Sequence, residues 1–121
     1  MNAEILKSAG IDYDRGVKRF MGRAYLYEKT LAKFARDTTV SRLRAAYEAD
    51  DRAGMFAAAH EFKGMCGTIA ISGLHETAGA LVECLRGEAC SWDAIAAAYE
   101  KLASEYHTVH AAVLAAMEES I

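Results

Sequence analysis

The chain has 121 residues, the size of a single domain with one hydrophobic core, and 53% of them are hydrophobic and 26% charged. A formal net charge of -3 argues against nucleic acid as the main partner, because domains that bind nucleic acid are usually basic. No apolar run approaches the roughly 20 residues of a membrane span, and the first residues lack signal-peptide architecture. We therefore expect one domain over residues 1–121, a cytoplasmic location and no membrane partner.

The cysteines are odd in number and form no C-x-x-C pair; they are Cys66, Cys84 and Cys90. Without an export signal, they are expected to be reduced thiols of a cytoplasmic protein. Cys66 and Cys84 are expected to act as small apolar side chains of the core.

Apolar residues recur at helical spacing over nearly the whole chain, which contains no proline, and no stretch shows sustained strand-type alternation. This pattern predicts an all-α protein. Gly10 is expected to break a short N-terminal helix. Asp12 can cap the next helix, which carries Val17, Phe20 and Met21.

The middle of the chain predicts two further helices. Gly22 marks a break before a helix over residues 23–36. Residues 37–39 predict a break or kink, and a helix over residues 40–49 follows. The apolar positions of these two helices include Tyr27, Leu31, Phe34, Leu43 and Tyr47.

The second half of the chain predicts three long helices. The first covers residues 52–70, and a tight connection at residues 71–73, with Ser72 as N-cap, leads to the second. That helix ends near Gly87, and Ser91 caps the last one. Short loops favour antiparallel neighbours, so we predict an antiparallel up-and-down four-helix bundle with short additional N-terminal helices. The predicted core includes Phe34, Leu43, Phe62, Ile69, Leu81 and Leu85.

The helix over residues 52–70 has one unusual polar face. At about 100° per residue, its apolar stripe contains Met55, Ala59, Phe62, Cys66 and Ile69. His60 points roughly 140° away from the centre of that stripe. Gly64 and Gly67 flank this direction one and two turns later, and Phe56 borders it one turn earlier.

The two glycines predict a bare surface beside His60. A glycine inside a helix costs about 1 kcal/mol relative to alanine, which is abundant in this chain. Their presence suggests that another molecule must approach the imidazole closely. A histidine side chain, with an ordinary pKa of about 6.5, is mostly neutral and nucleophilic at cytoplasmic pH. Lys63 can supply positive charge to a transferred phosphoryl group. The alternative is an ordinary surface histidine beside glycines that serve helix packing.

Residues 60–64, with the sequence HEFKG, resemble the His-x-x-Lys-Gly signature of histidine-containing phosphotransfer (HPt) domains. The small residues that follow as far as Gly67, and then Leu74, Ala78 and Leu81, are also similar to this family.

The N-terminal part, with Gly-Ile-Asp at residues 10–12 and an aromatic, leucine-rich helix, is similar to the family too, so the resemblance covers about residues 8–118. Some positions depart from the family pattern. Met65 and Cys66 stand where many members have serine or alanine, and Ala70 stands where a glycine is frequent. These departures concern packing and partner choice, and they leave the expected phosphoacceptor untouched.

The resemblance implies a histidine phosphotransfer protein of a two-component phosphorelay, which carries a phosphoryl group on His60 to and from the aspartate of receiver domains. Such a chain is a phosphocarrier and not an enzyme. Lys63 is expected to stabilise phosphoryl charge, and Phe56, Gly64 and Gly67 to form the docking surface. The implied partners are a response-regulator receiver domain, which supplies Mg²⁺, and a hybrid histidine kinase. The chain itself is expected to bind no cofactor or metal and to be a monomer.

Glu83 is a further candidate for the site. If the chain folds back at residues 71 and 72, position 83 comes level with His60. Its carboxylate could then accept a hydrogen bond from the imidazole and orient the ring. The alternative is a solvated surface glutamate.

Two alternative functions stay open, and the first concerns the other histidines. His107 and His110 are three residues apart on the last helix, where they could share a metal or be solvated or packed, and His75 has no clear partner. No histidine follows a glutamate by three residues, which argues against a carboxylate metal bundle. A small metal- or haem-binding bundle therefore ranks only third. The second hypothesis, after phosphotransfer, is a helical interaction module without phosphotransfer.

Overall fold

A computed structural model describes residues 1–87 and 90–118, and these residues form seven helices and no strand. The predicted all-α class is confirmed. None of the helices in these residues combines the length and the apolar character needed to cross a membrane. In chain order the helices are α1 (Ala3–Ser8), α2 (Tyr13–Arg19), α3 (Ala24–Arg36), α4 (Thr39–Glu48), α5 (Arg52–Thr68), α6 (Ser72–Arg86) and α7 (Trp92–Glu118).

The helices from α3 to α7 form the bundle, as predicted. α5 lies between α4 and α6, and α7 packs against α6 and α3. α3 and α4 meet at the kink expected there, because Asp37 is extended and its carboxylate accepts a hydrogen bond of 2.7 Å from the Thr39 amide. The short helices α1 and α2 cover one end, where the Asp12 amide donates to the Ala70 carbonyl beyond α5.

The predicted breaks at the N-terminal end have clear local causes. Gly10 and Gly22 take φ values of +85° and +80°, a left-handed conformation that glycine adopts at little cost. The Asp12 side chain accepts a hydrogen bond from the Arg15 amide and caps α2, as expected.

The core lies between the bundle helices and contains all the residues predicted for it. Phe34, Leu43, Phe62, Ile69, Leu81 and Leu85 are at most 5% exposed. Phe34 and Phe62 stack with ring centroids 5.9 Å apart, and Tyr106 of α7 meets both rings edge-on. The Tyr27 ring is fully buried, and its hydroxyl donates a 2.7 Å hydrogen bond to the Ile69 carbonyl at the end of α5.

Two local predictions were wrong. Met21 is not an apolar position of α2: it follows the helix, with a φ of +58° and 86% of its surface exposed. Ser72 is the first residue of α6 and not its cap; Ile71 takes the cap position without a side-chain hydrogen bond. Gly87 does follow α6, but it is extended, and Ser91 caps α7 by accepting from the Ala94 amide.

The expectation of three reduced thiols was also wrong. Cys84 and Cys90 are paired as a disulfide, with their Cα atoms 5.5 Å apart. Cys66 is the free cysteine of the described residues and is fully buried, as predicted for a small core side chain. Burial raises the pKa of the Cys66 thiol to about 12, so this sulfur remains protonated and unreactive at neutral pH.

We expect Tyr27→Phe to lower the free energy of unfolding by about 1–3 kcal/mol, because it leaves the buried Ile69 carbonyl without this donor. Tyr25→Phe is the matched control: Tyr25 is 74% exposed, and its change should stay within about 0.5 kcal/mol. Urea unfolding of both variants measures the difference. Equal effects would show that the buried hydroxyl contributes nothing specific.

Candidate functional site

His60 lies in the middle of α5, which is capped by the Asp51 carboxylate at the Gly54 amide (2.9 Å). The residues predicted for the core face of α5 are buried, and the imidazole points away from them and is exposed, as predicted. Within the described residues, the imidazole makes no hydrogen bond and stacks on Phe56, with ring centroids 5.9 Å apart and planes 27° apart. Both ring nitrogens are therefore available to another molecule.

Arg86 extends this stack onto α6. Its guanidinium carbon lies 5.5 Å from the centroid of the Phe56 ring, within the range of a cation–π contact. Phe56 thus contacts a cation of the neighbouring helix as well as the imidazole on its own helix. The sequence reasoning missed Arg86, because the contact depends on the register between two helices.

Glu83 does not make the predicted hydrogen bond to His60. Its carboxylate instead accepts from Arg86 at 3.3 Å, one turn along α6. The contact between Phe56 and Arg86 places Val82 level with His60, one residue from the predicted position. Val82 is buried and points inward, so α6 presents no polar partner at this level.

The two glycines of α5 differ in what surrounds them. A Cβ atom at Gly64 would have no heavy atom within 4 Å outside its own helix, so the surface beside His60 is bare there, as predicted. A Cβ at Gly67 would lie 3.1 Å from Nδ1 of His75, and the Gly67 carbonyl accepts a hydrogen bond from Arg19. Gly67 is half-buried and packs against His75, and its assignment to the docking surface stays a prediction.

Lys63 lies on the side of His60 that faces α6 and is half-buried. Its aliphatic stem crosses Gly79, with Cε 3.5 Å from where a Cβ would stand. No carboxylate of the described residues pairs with its ammonium group, so the cation is free to meet an incoming anion. The sequence reasoning missed Gly79, which gives the stem its room on α6.

The other side of His60 faces α4. There Glu61, next to His60 in sequence, pairs with Arg42 at 2.9 Å, and both side chains are exposed. The neighbouring surface of α5 carries the small exposed residues Ala53 and Ala57. Glu61 on this side and Glu83 on the α6 side are therefore each paired with an arginine, and the exposed side chains of α5 at Ala53 and Ala57 are small.

The remaining histidines are packed or solvated. Nδ1 of His75 lies 2.9 Å from the Lys63 carbonyl, so its N–H donates there. Nε2 of His110 lies 2.8 Å from the Ala35 carbonyl, and its ring stacks on Tyr106. His107 is exposed. Over residues 1–87 and 90–118, no three histidine, cysteine or acidic side chains are grouped as metal ligands would be.

Comparison with known protein families identifies the bundle. The sequence model of the Hpt domain matches residues 35–118, which comprise the end of α3 and all of α4 to α7. His60 and its surroundings lie inside the match, and α1 and α2 lie outside it. Searches of curated proteins and of solved structures find no match.

The two glycines give a paired stability test. We expect Gly64→Ala to raise the free energy of unfolding by up to about 1 kcal/mol, because alanine favours the helix and meets open space. The free energy of unfolding of Gly67→Ala should be about 1 kcal/mol or more below that of Gly64→Ala, because the added methyl group presses on the His75 ring, which is held by a hydrogen bond. Chemical denaturation measures both. An equal gain in both variants would show that His75 moves aside freely.

Proposed function

Since the chain belongs to the Hpt domain family, whose members are phosphocarriers of phosphorelays, we propose that it carries a phosphoryl group on His60 to and from the aspartate of receiver domains. The observation that carries the proposal is the exposed imidazole in the middle of α5, free of hydrogen bonds to the described residues, beside a helix surface left bare at Gly64.

The transfer needs one nucleophile from this chain. A neutral imidazole nitrogen of His60 attacks the phosphorus of the receiver's aspartyl phosphate; the new N–P bond forms as the acyl P–O bond breaks and returns the aspartate as a carboxylate. The other ring nitrogen keeps its proton, and the reverse reaction recharges the receiver. In this proposal Mg²⁺ is bound by the receiver and neutralises the phosphoryl oxygens, and this chain acts as a carrier without a cofactor of its own.

Lys63 is placed to assist. A phosphoryl group on histidine brings about two negative charges to an exposed surface. Lys63 is one turn away, has no carboxylate partner among the described residues, and keeps its ammonium near the groove between α5 and α6. Its flexible stem can turn the charge toward the phosphoryl oxygens.

The docking surface extends beyond the predicted residues. Arg19 of α2 reaches the Gly67 carbonyl, so the N-terminal helices stand at one end of the His60 face. The α2–α3 junction exposes the apolar side chains of Met21, Tyr25 and Leu26. Residues 13–36, which form α2, α3 and the junction between them, contain two acidic residues, Asp14 and Glu28, against the cations Arg15, Lys18, Arg19, Arg23, Lys29, Lys33 and Arg36. A receiver approaching with an acidic active site would be steered by this charge.

The remaining parts of the proposal concern partners and place. A receiver domain is the direct partner, and a hybrid histidine kinase is the upstream source of phosphate. A monomeric state and a cytoplasmic location stay predictions.

We expect His60→Gln to abolish phosphate acceptance while the free energy of unfolding stays within about 0.5 kcal/mol of the parent, because the side chain is exposed. His107→Gln, at another exposed histidine, should accept phosphate normally. The measurement uses a receiver domain charged with labelled phosphate and Mg²⁺, and the label on this chain should be acid-labile and base-stable. Transfer to His60→Gln would contradict the proposal. Absence of transfer from all receivers of the source organism would favour an interaction module without phosphotransfer.

We expect Gly64→Gln to slow phosphotransfer by about 10- to 100-fold, because a long side chain stands where the receiver must approach the imidazole. Ala111→Gln places the same side chain at an exposed position of α7, which neighbours α6 and α3, and should leave the rate unchanged. Rapid-quench kinetics with one receiver compare the two variants. A normal rate for Gly64→Gln would place the docking surface elsewhere.

A further inference from the structure

Cys84 and Cys90 join the end of α6 to the start of α7. Cys84 lies in the last turn of α6, and Cys90 immediately precedes Ser91, the cap of α7. Their Cα separation of 5.5 Å falls in the usual range for a disulfide, and both residues are only partly buried. Small thiol reagents can therefore reach the pair, in contrast to the fully buried Cys66.

The same turn of α6 is attached to the start of α5. The Arg52 guanidinium donates to the carbonyls of Cys84 (3.2 Å) and Gly87. Two residues after Cys84, Arg86 places its guanidinium over Phe56, which stacks on His60. The path from the sulfur pair to the imidazole thus runs through two direct contacts, Arg86 with Phe56 and Phe56 with His60.

We propose that Cys84 and Cys90 form a reversible dithiol–disulfide site that controls the His60 surface through Arg86. The disulfide holds the last turn of α6, keeps Arg86 over Phe56 and so restricts the imidazole to its present orientation. Reduction frees this turn, and the stack under His60 loosens. The effect on phosphotransfer rests on the proposed function; the effect on the imidazole does not.

The chemistry is thiol–disulfide exchange with a small-molecule disulfide such as glutathione disulfide. One cysteine thiolate attacks a sulfur of glutathione disulfide and expels a glutathione thiolate, giving a mixed disulfide. The second cysteine thiolate attacks the protein sulfur of that mixed disulfide and releases the second glutathione. Two electrons pass from the protein to glutathione disulfide, and the two protons lost by the cysteines are taken up by the released thiolates. Reduction is the reverse reaction.

The first measurement equilibrates the full chain in glutathione buffers of increasing oxidised fraction, blocks free thiols with N-ethylmaleimide and records the mass. The parent chain and Cys66→Ser should each lose two alkylation sites as the buffer becomes oxidising, and should regain them on return. Cys84→Ser should gain no internal disulfide. A parent chain in which Cys84 and Cys90 are both alkylated in every buffer would overturn the proposal.

The second measurement follows the His60 ring by NMR in the oxidised and reduced chain. The ring C–H signals, assigned by their loss in His60→Gln, should shift between the two states of the parent chain and of Cys66→Ser. They should stay unshifted in the double variant Cys84→Ser, Cys90→Ser. They should stay unshifted in Arg86→Ala as well, although that variant still forms the disulfide. Ring C–H signals that are the same in the oxidised and the reduced parent chain would overturn the link to His60.

The third measurement compares phosphotransfer from one receiver to both redox states. The oxidised parent should transfer about threefold or more faster than the reduced parent, since a held imidazole attacks in one orientation. Arg86→Ala should show the slower rate in both states. Equal rates in the two states, with normal transfer, would overturn control of the reaction. Absence of transfer in either state, with redox-dependent ring signals, would refute the proposed function and support the redox site.

Discussion

The antiparallel packing of α5 against α6 is the contact on which the candidate site depends. Its register sets Phe56 against Arg86, Lys63 against Gly79 and Gly67 against His75. His60 falls between the first two of these pairs, level with Val82, whose side chain is buried. α6 therefore contacts α5 at positions before and after His60 in the sequence and leaves the imidazole uncovered. A shift of this register by one residue would move each of these contacts to a different face of the helix.

This packing separates two kinds of glycine that look alike in the sequence. Gly64 has open space around it, so packing explains neither its presence nor its cost in helix stability. Gly67 and Gly79 each leave room for a side chain of the neighbouring element, His75 in one case and the Lys63 stem in the other. A search for docking surfaces by glycine content alone would count all three together.

The sequence was sufficient for features that depend on one helix at a time. The spacing of Phe34, Phe62 and Leu81 identified the core, and the outward direction of His60 followed from the same periodicity. Features that depend on two helices were missed or misplaced. Glu83 was predicted to lie level with His60 from an estimated position of the turn between α5 and α6. In the structure the register differs by one residue, and the Glu83 carboxylate pairs with Arg86 instead. The disulfide was missed for a related reason, since pairing follows from distance in the fold and compartment arguments treat all thiols alike.

The charged side chains around His60 contribute little to the stability of the fold. Their arrangement suits an incoming dianion. The exposed pairs Arg42–Glu61 and Arg86–Glu83 contribute little to stability, because surface ion pairs are screened by water and salt. Their effect on the site is larger, because unpaired glutamates at these two positions would repel a phosphoryl group on either side of the ring. With both acids paired, Lys63 stands beside the imidazole without a carboxylate partner among residues 1–87 and 90–118, and in the proposed function its charge acts on the phosphoryl group. Reversing the charge at Arg42 or Arg86 would therefore impair phosphate acceptance more than folding.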